Sequence, residues 1–251
     1  MKNVWLIGGT QESAKIAKKL VTHGFFCVVT VTTESAIALY PDSDLMTVKV
    51  GALSSQEMRE LIAREGIDRI IDASHPYAVE ISESAIALSQ QCHLPYLRYE
   101  RPQVKATEDQ HVITLDSFKT LVNSDYLTQQ RVLLTVGYKA LPQFQPWHQQ
   151  ATLFARVLPS VVSVEKALEA GFSQKQLIAL RPPVNYELEK ALCEQWEISL
   201  IVSKASGKAG GEDTKKAVAK ALNIPLILIR RPEVAYPQKT DKLEDVVTFC
   251  H

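Results

Sequence analysis

No run in this chain is apolar for long enough to span a bilayer. The opening segment, Met1-Lys2-Asn3-Val4-Trp5-Leu6-Ile7, is too short before Gly8-Gly9 to form the apolar stretch of a signal peptide. Neither sign of charge is in excess, with 28 Lys plus Arg against 28 Asp plus Glu. A balanced chain has no general attraction to nucleic acid or to an acidic membrane, so neither is expected as a partner. The four cysteines (Cys27, Cys92, Cys193, Cys250) are widely spread and form no C-x-x-C. Free thiols in a reducing cytoplasm are therefore expected rather than a disulfide framework. The six histidines are as scattered, with no H-E-x-x-H, so no protein-bound metal is expected. A G-x-S-x-G elbow is absent, and so is the G-x-x-x-x-G-K-[ST] order of a nucleotide-hydrolysing loop. Nothing in the sequence fixes an oligomeric state.

What is present is an α/β pattern. The chain is 46% hydrophobic and 22% charged, enough for a sizeable core. Short apolar runs at Val4–Ile7, Phe26–Thr32, Met46–Val50, Arg69–Asp72 and Pro95–Tyr99 alternate with helical patterns near Glu12–Thr22, Ser55–Glu65 and Val79–Gln91. Strands buried on both faces and separated by helices predict a parallel sheet flanked by helices. The second half repeats the layout: His93-Leu94-Pro95 through Arg101-Pro102 aligns with Asn223-Ile224-Pro225 through Arg231-Pro232. Ile67–Ala73 falls on Glu197–Ser203 in the same register, and Met46–Val50 on Gln176–Leu180. Two Rossmann-like domains are predicted, residues 1–103 and 104–251, with the ligand cleft between them.

Four stretches can carry chemistry. Gly8-Gly9-Thr10 directly follows a strand, where glycines let the backbone approach a phosphate and Thr10 can cap the next helix. It is not a full G-x-G-x-x-G, and a plain glycine turn fits it equally well. Ser203-Lys204-Ala205-Ser206-Gly207-Lys208 opens a strand into a loop whose backbone donors and lysines suit an anion, a solvated loop being the alternative. Asp72-Ala73-Ser74-His75-Pro76-Tyr77 ends another strand. Ser74 fits an N-cap and Pro76 a first helical turn, while His75 reads either as a ligand-facing imidazole or as a loop histidine. Ser74, His75 and Asp72 are too close in sequence for a hydrolase triad. Finally, Arg98, Arg101, Arg181, Arg230 and Arg231 cluster at or just past strand ends, where together they suit a ligand with several carboxylates.

Taken together, these stretches resemble the precorrin-6A reductase family of the cobalamin pathway. The likeness spans nearly the whole chain and rests on Gly8-Gly9-Thr10-x-Glu12, Asp72-Ala73-Ser74-His75-Pro76-Tyr77-Ala78 and Pro95-Tyr96-Leu97-Arg98-x-Glu100-Arg101-Pro102. Ser203-Lys204-x-Ser206-Gly207 and Ile224-Pro225 with Arg230-Arg231-Pro232 complete it. The chain departs from the family at Val136-Gly137-Tyr138, where T-G-R is usual, leaving Lys139 as the nearest cation. The resemblance implies hydride transfer from NADPH or NADH to one double bond of a tetrapyrrole. It further implies that Gly8, Gly9, Thr10, Gly137, Ser203, Lys204, Ser206 and Gly207 bind the cofactor. Ser74, His75, Tyr77, Arg98 and Arg101 would face the substrate, with His75 as the candidate proton donor. A nucleotide-sugar glycosyltransferase and a non-catalytic dinucleotide sensor share the layout; the first lacks its acidic signatures here.

Overall fold

The computed structural model describes residues 2–101 and 109–251. The first unit opens with β1 (Asn3–Ile7), α1 (Gln11–Thr22), β2 (Phe26–Val31), β3 (Met46–Val50), α2 (Ser55–Glu65), β4 (Arg69–Asp72), α3 (Val79–Gln91) and β5 (Tyr96–Tyr99). The second contains β6 (Val112–Leu115), α4 (Phe118–Val122), β7 (Arg131–Thr135), β8 (Thr152–Val157), α5 (Val161–Glu169), β9 (Leu177–Ala179), α6 (Tyr186–Gln195), β10 (Leu200–Lys204), α7 (Glu212–Leu222) and β11 (Leu226–Ile229). The chain then returns to the first unit with β12 (Lys239–Thr240) and α8 (Leu243–Cys250).

Each unit holds one six-stranded parallel sheet with helices packed against it. The orders are β12-β5-β4-β1-β2-β3 and β6-β11-β10-β7-β8-β9, so β1 to β5 occupy the same places as β7 to β11. The repeat read from the sequence is thus a repeat of topology. It has one twist: the edge strand beside β11, β6, precedes the other strands of its unit in the chain, whereas the edge strand beside β5 comes from the C-terminus. The expected boundary at 103/104 lies outside the described residues. The expectation that the second domain runs on to residue 251 is corrected, because Glu233–His251 belongs to the first unit. A two-residue strand carries almost no hydrophobic pattern, so no local signal announces β12.

Period-two side-chain alternation explains the double burial. In β1, Val4 and Leu6 join a core with Ile16, Ala17 and Leu20 of α1, while Trp5 and Ile7 face Met58 and Leu61 of α2 and Ala85 of α3. In β7, Val132 and Leu134 take one face and Leu133 the other. Each fully buried Leu or Ile contributes roughly 1.5–3 kcal/mol. The one polar atom of Trp5 is satisfied, its Nε1 donating to Thr30 Oγ1 at 2.9 Å. Where α1 follows β1, the second unit has instead a 3-10 segment, Tyr138–Gln149; Pro142 and Pro146 within it remove amide donors an α-helix needs. Cys27, Cys193 and Cys250 are buried thiols and Cys92 is exposed. Among the described residues no helix is long and apolar enough to cross a membrane, and no group of three or more His, Cys, Asp or Glu is placed to hold a metal.

Candidate active site

In open parallel sheets, ligands sit at the carboxyl edge where strand order reverses direction. In the first unit that point lies between β1 and β4, and in the second between β7 and β10. Gly8-Gly9-Thr10 and Ala73-Ser74-His75 leave the first pair; Val136-Gly137 and Ala205-Ser206-Gly207 leave the second. The glycine turn, the Asp72–Tyr77 stretch and the Ser203–Lys208 loop therefore depart from switch points, whereas Arg98 and Arg101 lie on or after β5, Arg181 after β9, and Arg230 and Arg231 after β11.

At the first switch point a shallow concavity is lined by Thr10, Glu12, Ala73, Ser74, Pro76, Tyr99 and Arg101. Arg101 Nη1 donates to Glu12 Oε1 at 3.1 Å across it. The glycine turn itself is engaged internally. The Gly8 amide donates to Thr30 O at 2.9 Å, the Gly9 amide to Tyr40 Oη at 2.8 Å, and the Thr10 amide to Ser13 Oγ at 3.0 Å. Thr10 Oγ1 caps α1 by accepting from the Ser13 amide and donates to Ala73 O, both at 3.0 Å. The Tyr40 hydroxyl fills the place beside Gly8, since a β-carbon there would lie 2.3 Å from it, and it bonds Ser13 Oγ at 2.6 Å. All three amides of the turn that the sequence assigns to the cofactor thus have internal acceptors, one of them a tyrosine from the β2–β3 connection. Nothing local predicts Tyr40, whereas Ser13 three residues after Thr10 is a readable capping pair.

Beyond β4, Asp72 is fully buried with four hydrogen bonds. Its Oδ1 accepts from the Ser74 amide at 2.9 Å and from Arg98 Nη1 at 2.8 Å; its Oδ2 accepts from Ser82 Oγ at 2.6 Å and Tyr96 Oη at 2.7 Å. Arg98 is its register partner on β5, is fully buried, and also donates from Nη1 to Ser74 Oγ at 3.0 Å. Its guanidinium lies 5.2 Å from the Tyr236 ring centroid. Burial and the Asp72 carboxylate push the Tyr96 phenol well above its ordinary range, keeping it a donor. Arg98, which the sequence places on the substrate wall, is a buried ion-pair partner of Asp72, and the buried Ser74 hydroxyl turns toward it. Ser74 is not an N-cap, because α3 begins only at Val79; Pro76 and Tyr77 form a turn closed by the Ala78 amide donating to His75 O at 2.8 Å. His75 is exposed and Tyr77 half-buried, their ring centroids 5.7 Å apart.

In the second unit, Ser203 and Ser206 are buried, the Ser206 amide donates to Lys204 O at 2.7 Å, and the Gly207 amide to Glu212 Oε2 at 3.0 Å. Ser203, Ser206 and Gly207, which the sequence assigns to the cofactor, shape the loop through these bonds. Lys215, also buried, donates to Gly210 O at 2.9 Å and Gly211 O at 3.3 Å and ties the loop down. Gly137 is exposed with open space where its β-carbon would be. Arg181 and Arg230 are exposed, while buried Arg231 donates to Ala205 O at 2.9 Å.

Lys204 Nζ lies 5.8 Å from the Phe118 ring centroid. Burial, seconded by the charge of Lys139, brings its ammonium down from 10.5 to about 8. Below pH 8 the folded protein bears the full cost of this charge. Between 8 and 10.5 the unfolded chain keeps a proton that the folded one releases, so the cost fades as pH rises. Lys204→Met should therefore raise Tm at neutral pH by roughly 2–4 °C, the effect of about 1 kcal/mol. Thermal melts across pH check this: the gap to wild type should narrow toward pH 10.

Residues 3–251 of the chain match the family model described as precorrin-6x reductase CbiJ/CobK. It is 43% identical over 251 residues to a cobalt-precorrin-6A reductase of Synechocystis sp., covering 100% of this chain and 96% of that one. A cobalt-precorrin-6A reductase of Priestia megaterium is 32% identical over 247 residues, with 97% and 96% covered. The solved structure of a CobK precorrin-6A reductase has the same fold, with a TM-score of 0.80 at 23% identity over 99% of this chain and 96% of that one. This chain belongs to the precorrin-6x reductase family.

Proposed function

We propose that the protein is a cytoplasmic NADPH- or NADH-dependent reductase that adds hydride and a proton across one double bond of cobalt-precorrin-6A or its metal-free form. The observation carrying this reading is that both switch points bear groups suited to large anionic ligands: the His75–Tyr77 turn and Arg101 on one sheet, Gly137 and Lys204 on the other. The names of the two relatives above favour the cobalt form, in which the metal belongs to the substrate. A bound reduced nicotinamide supplies the hydride. Gly137, with nothing beside its α-carbon, lets backbone approach a phosphate, and Lys204 with Lys139 offers the countercharge. His75 and Tyr77 would pack on the macrocycle, Arg101 would leave its pair with Glu12 to bind a substrate carboxylate, and His75 would hold the proton that completes the reduction.

The test combines purified protein with either cofactor and either tetrapyrrole while the absorbance of the reduced nicotinamide is followed. Oxidation that requires the tetrapyrrole is expected. Cofactor binding without turnover on either substrate would overturn the reading in favour of a sensor. His75→Ala should lower kcat/KM by at least about tenfold, some 1.4 kcal/mol of interaction, with Tm unchanged. Wild-type kinetics in that variant would remove His75 from the site.

A further inference from the structure

The Asp72 carboxylate is divided between two tasks. Ser82 of α3 and Tyr96 of β5 hold Oδ2, entirely within the protein interior. Oδ1 instead receives the Ser74 amide, and the same Arg98 Nη1 that pairs with Oδ1 also donates to Ser74 Oγ. Ser74 is thereby gripped at both backbone and side chain by one buried ion pair. Its neighbour Ala73 is fixed too, its amide donating to Ile7 O at 2.9 Å and its carbonyl accepting from Thr10 Oγ1. Immediately beyond this clamp the chain emerges as His75, exposed.

Ala78 stands at the N-cap of α3 with no side-chain cap, and the His75–Ala78 turn is closed by one backbone bond, with the Tyr77 amide donating to His75 Nδ1 at 3.3 Å. A burial cost is visible at the clamp: Arg98 Nε is buried without a hydrogen-bond partner. Replacing a buried ion pair by apolar groups is often neutral or stabilising, so stability alone does not account for keeping Asp72 and Arg98 here.

We propose that Asp72 and Arg98 are positioning residues, acting through Ser74 to fix the turn that presents His75 and Tyr77 to the tetrapyrrole. The last clause rests on the function proposed above. The bond set gives the turn one conformation before substrate arrives, so the ordering cost is met in folding rather than in binding.

The decisive variant is the double substitution Asp72→Asn with Arg98→Met, which removes both charges at similar side-chain size. Its Tm should lie close to wild type, while amide hydrogen exchange across residues 73–78 accelerates at least about tenfold and KM for the tetrapyrrole rises about fivefold or more, kcat changing less. Ser74→Ala, which keeps the ion pair and loses only the hydroxyl acceptor, should show the same exchange change at smaller amplitude and guards against failure of the double variant to fold. Ser82→Ala is the control on the opposite oxygen: it should lower Tm, with exchange at 73–78 and KM near wild type. Wild-type exchange in both the double variant and Ser74→Ala would overturn the clamp. Faster exchange with unchanged KM would overturn its role in positioning when His75→Ala is itself impaired. If His75→Ala is kinetically silent, the substrate-facing reading of the turn falls, and the positioning role falls with it; the exchange data still decide the clamp.

Discussion

Asp72→Ala should cost the protein about 3–5 kcal/mol, the usual effect of leaving a buried charge without its partner. Arg98 would keep its guanidinium fully inside the first unit, with the Ser74 hydroxyl as its remaining hydrogen-bond acceptor and the Tyr236 ring as a partial substitute. The Ser82 and Tyr96 hydroxyls would lose their shared acceptor as well. For a chain of this size that loss corresponds to a fall in Tm on the order of 10 °C. Denaturant or thermal unfolding at neutral pH measures it, and a Tm within about 3 °C of wild type would show that the pair is not a structural necessity. Adding Arg98→Met to Asp72→Ala should recover part of the loss, because the unpaired charge is its main source.

The other large effect is expected at Gly210→Ala. A β-carbon built there lies 1.8 Å from Ser206 Oγ and 2.6 Å from Ser206 Cβ. The Cβ contact is the deciding one, since a hydroxyl can rotate away and a Cβ cannot, so the backbone of the loop must move. Overpacking of this kind costs about 1–3 kcal/mol. The shift would reach the Gly207 amide on Glu212 and the Gly210 carbonyl that accepts from Lys215, the bonds that hold the loop after Lys204. Cofactor affinity, read by titration of the reduced nicotinamide, should fall at least about tenfold, equivalent to 1.4 kcal/mol. Ser206→Gly combined with Gly210→Ala removes the clash and should restore binding. A Gly210→Ala protein that binds cofactor normally would separate this loop from the cofactor.

The two sheets were legible because a parallel strand buried on both faces is almost wholly apolar, as in Val4–Ile7, Arg131–Thr135 and Leu200–Val202, and the helical periodicity between such runs is strong. The repeat showed for the same reason: the same fold position demands the same apolar run. The polar strand ends also stood out, since Asp72, Ser74 and Arg98 do not belong in an apolar sheet. Their direction did not. Asp72 and Arg98 face each other only because β4 and β5 pair in that register, and Arg98 is covered only because Tyr236 and β12 return from the far end of the chain. The glycine turn is a parallel case. Gly8-Gly9-Thr10 has the composition of a phosphate turn, and a single distant side chain, Tyr40, engages it from within.

The sequence by itself determined the α/β class, the duplicated layout, the family and the polar strand ends, because each follows from local pattern. Which polar groups at those ends face outward was decided by the tertiary structure alone. A buried donor must find an acceptor, and for Asp72, Arg98 and the Gly9 amide that partner lies on a neighbouring element which no local pattern identifies.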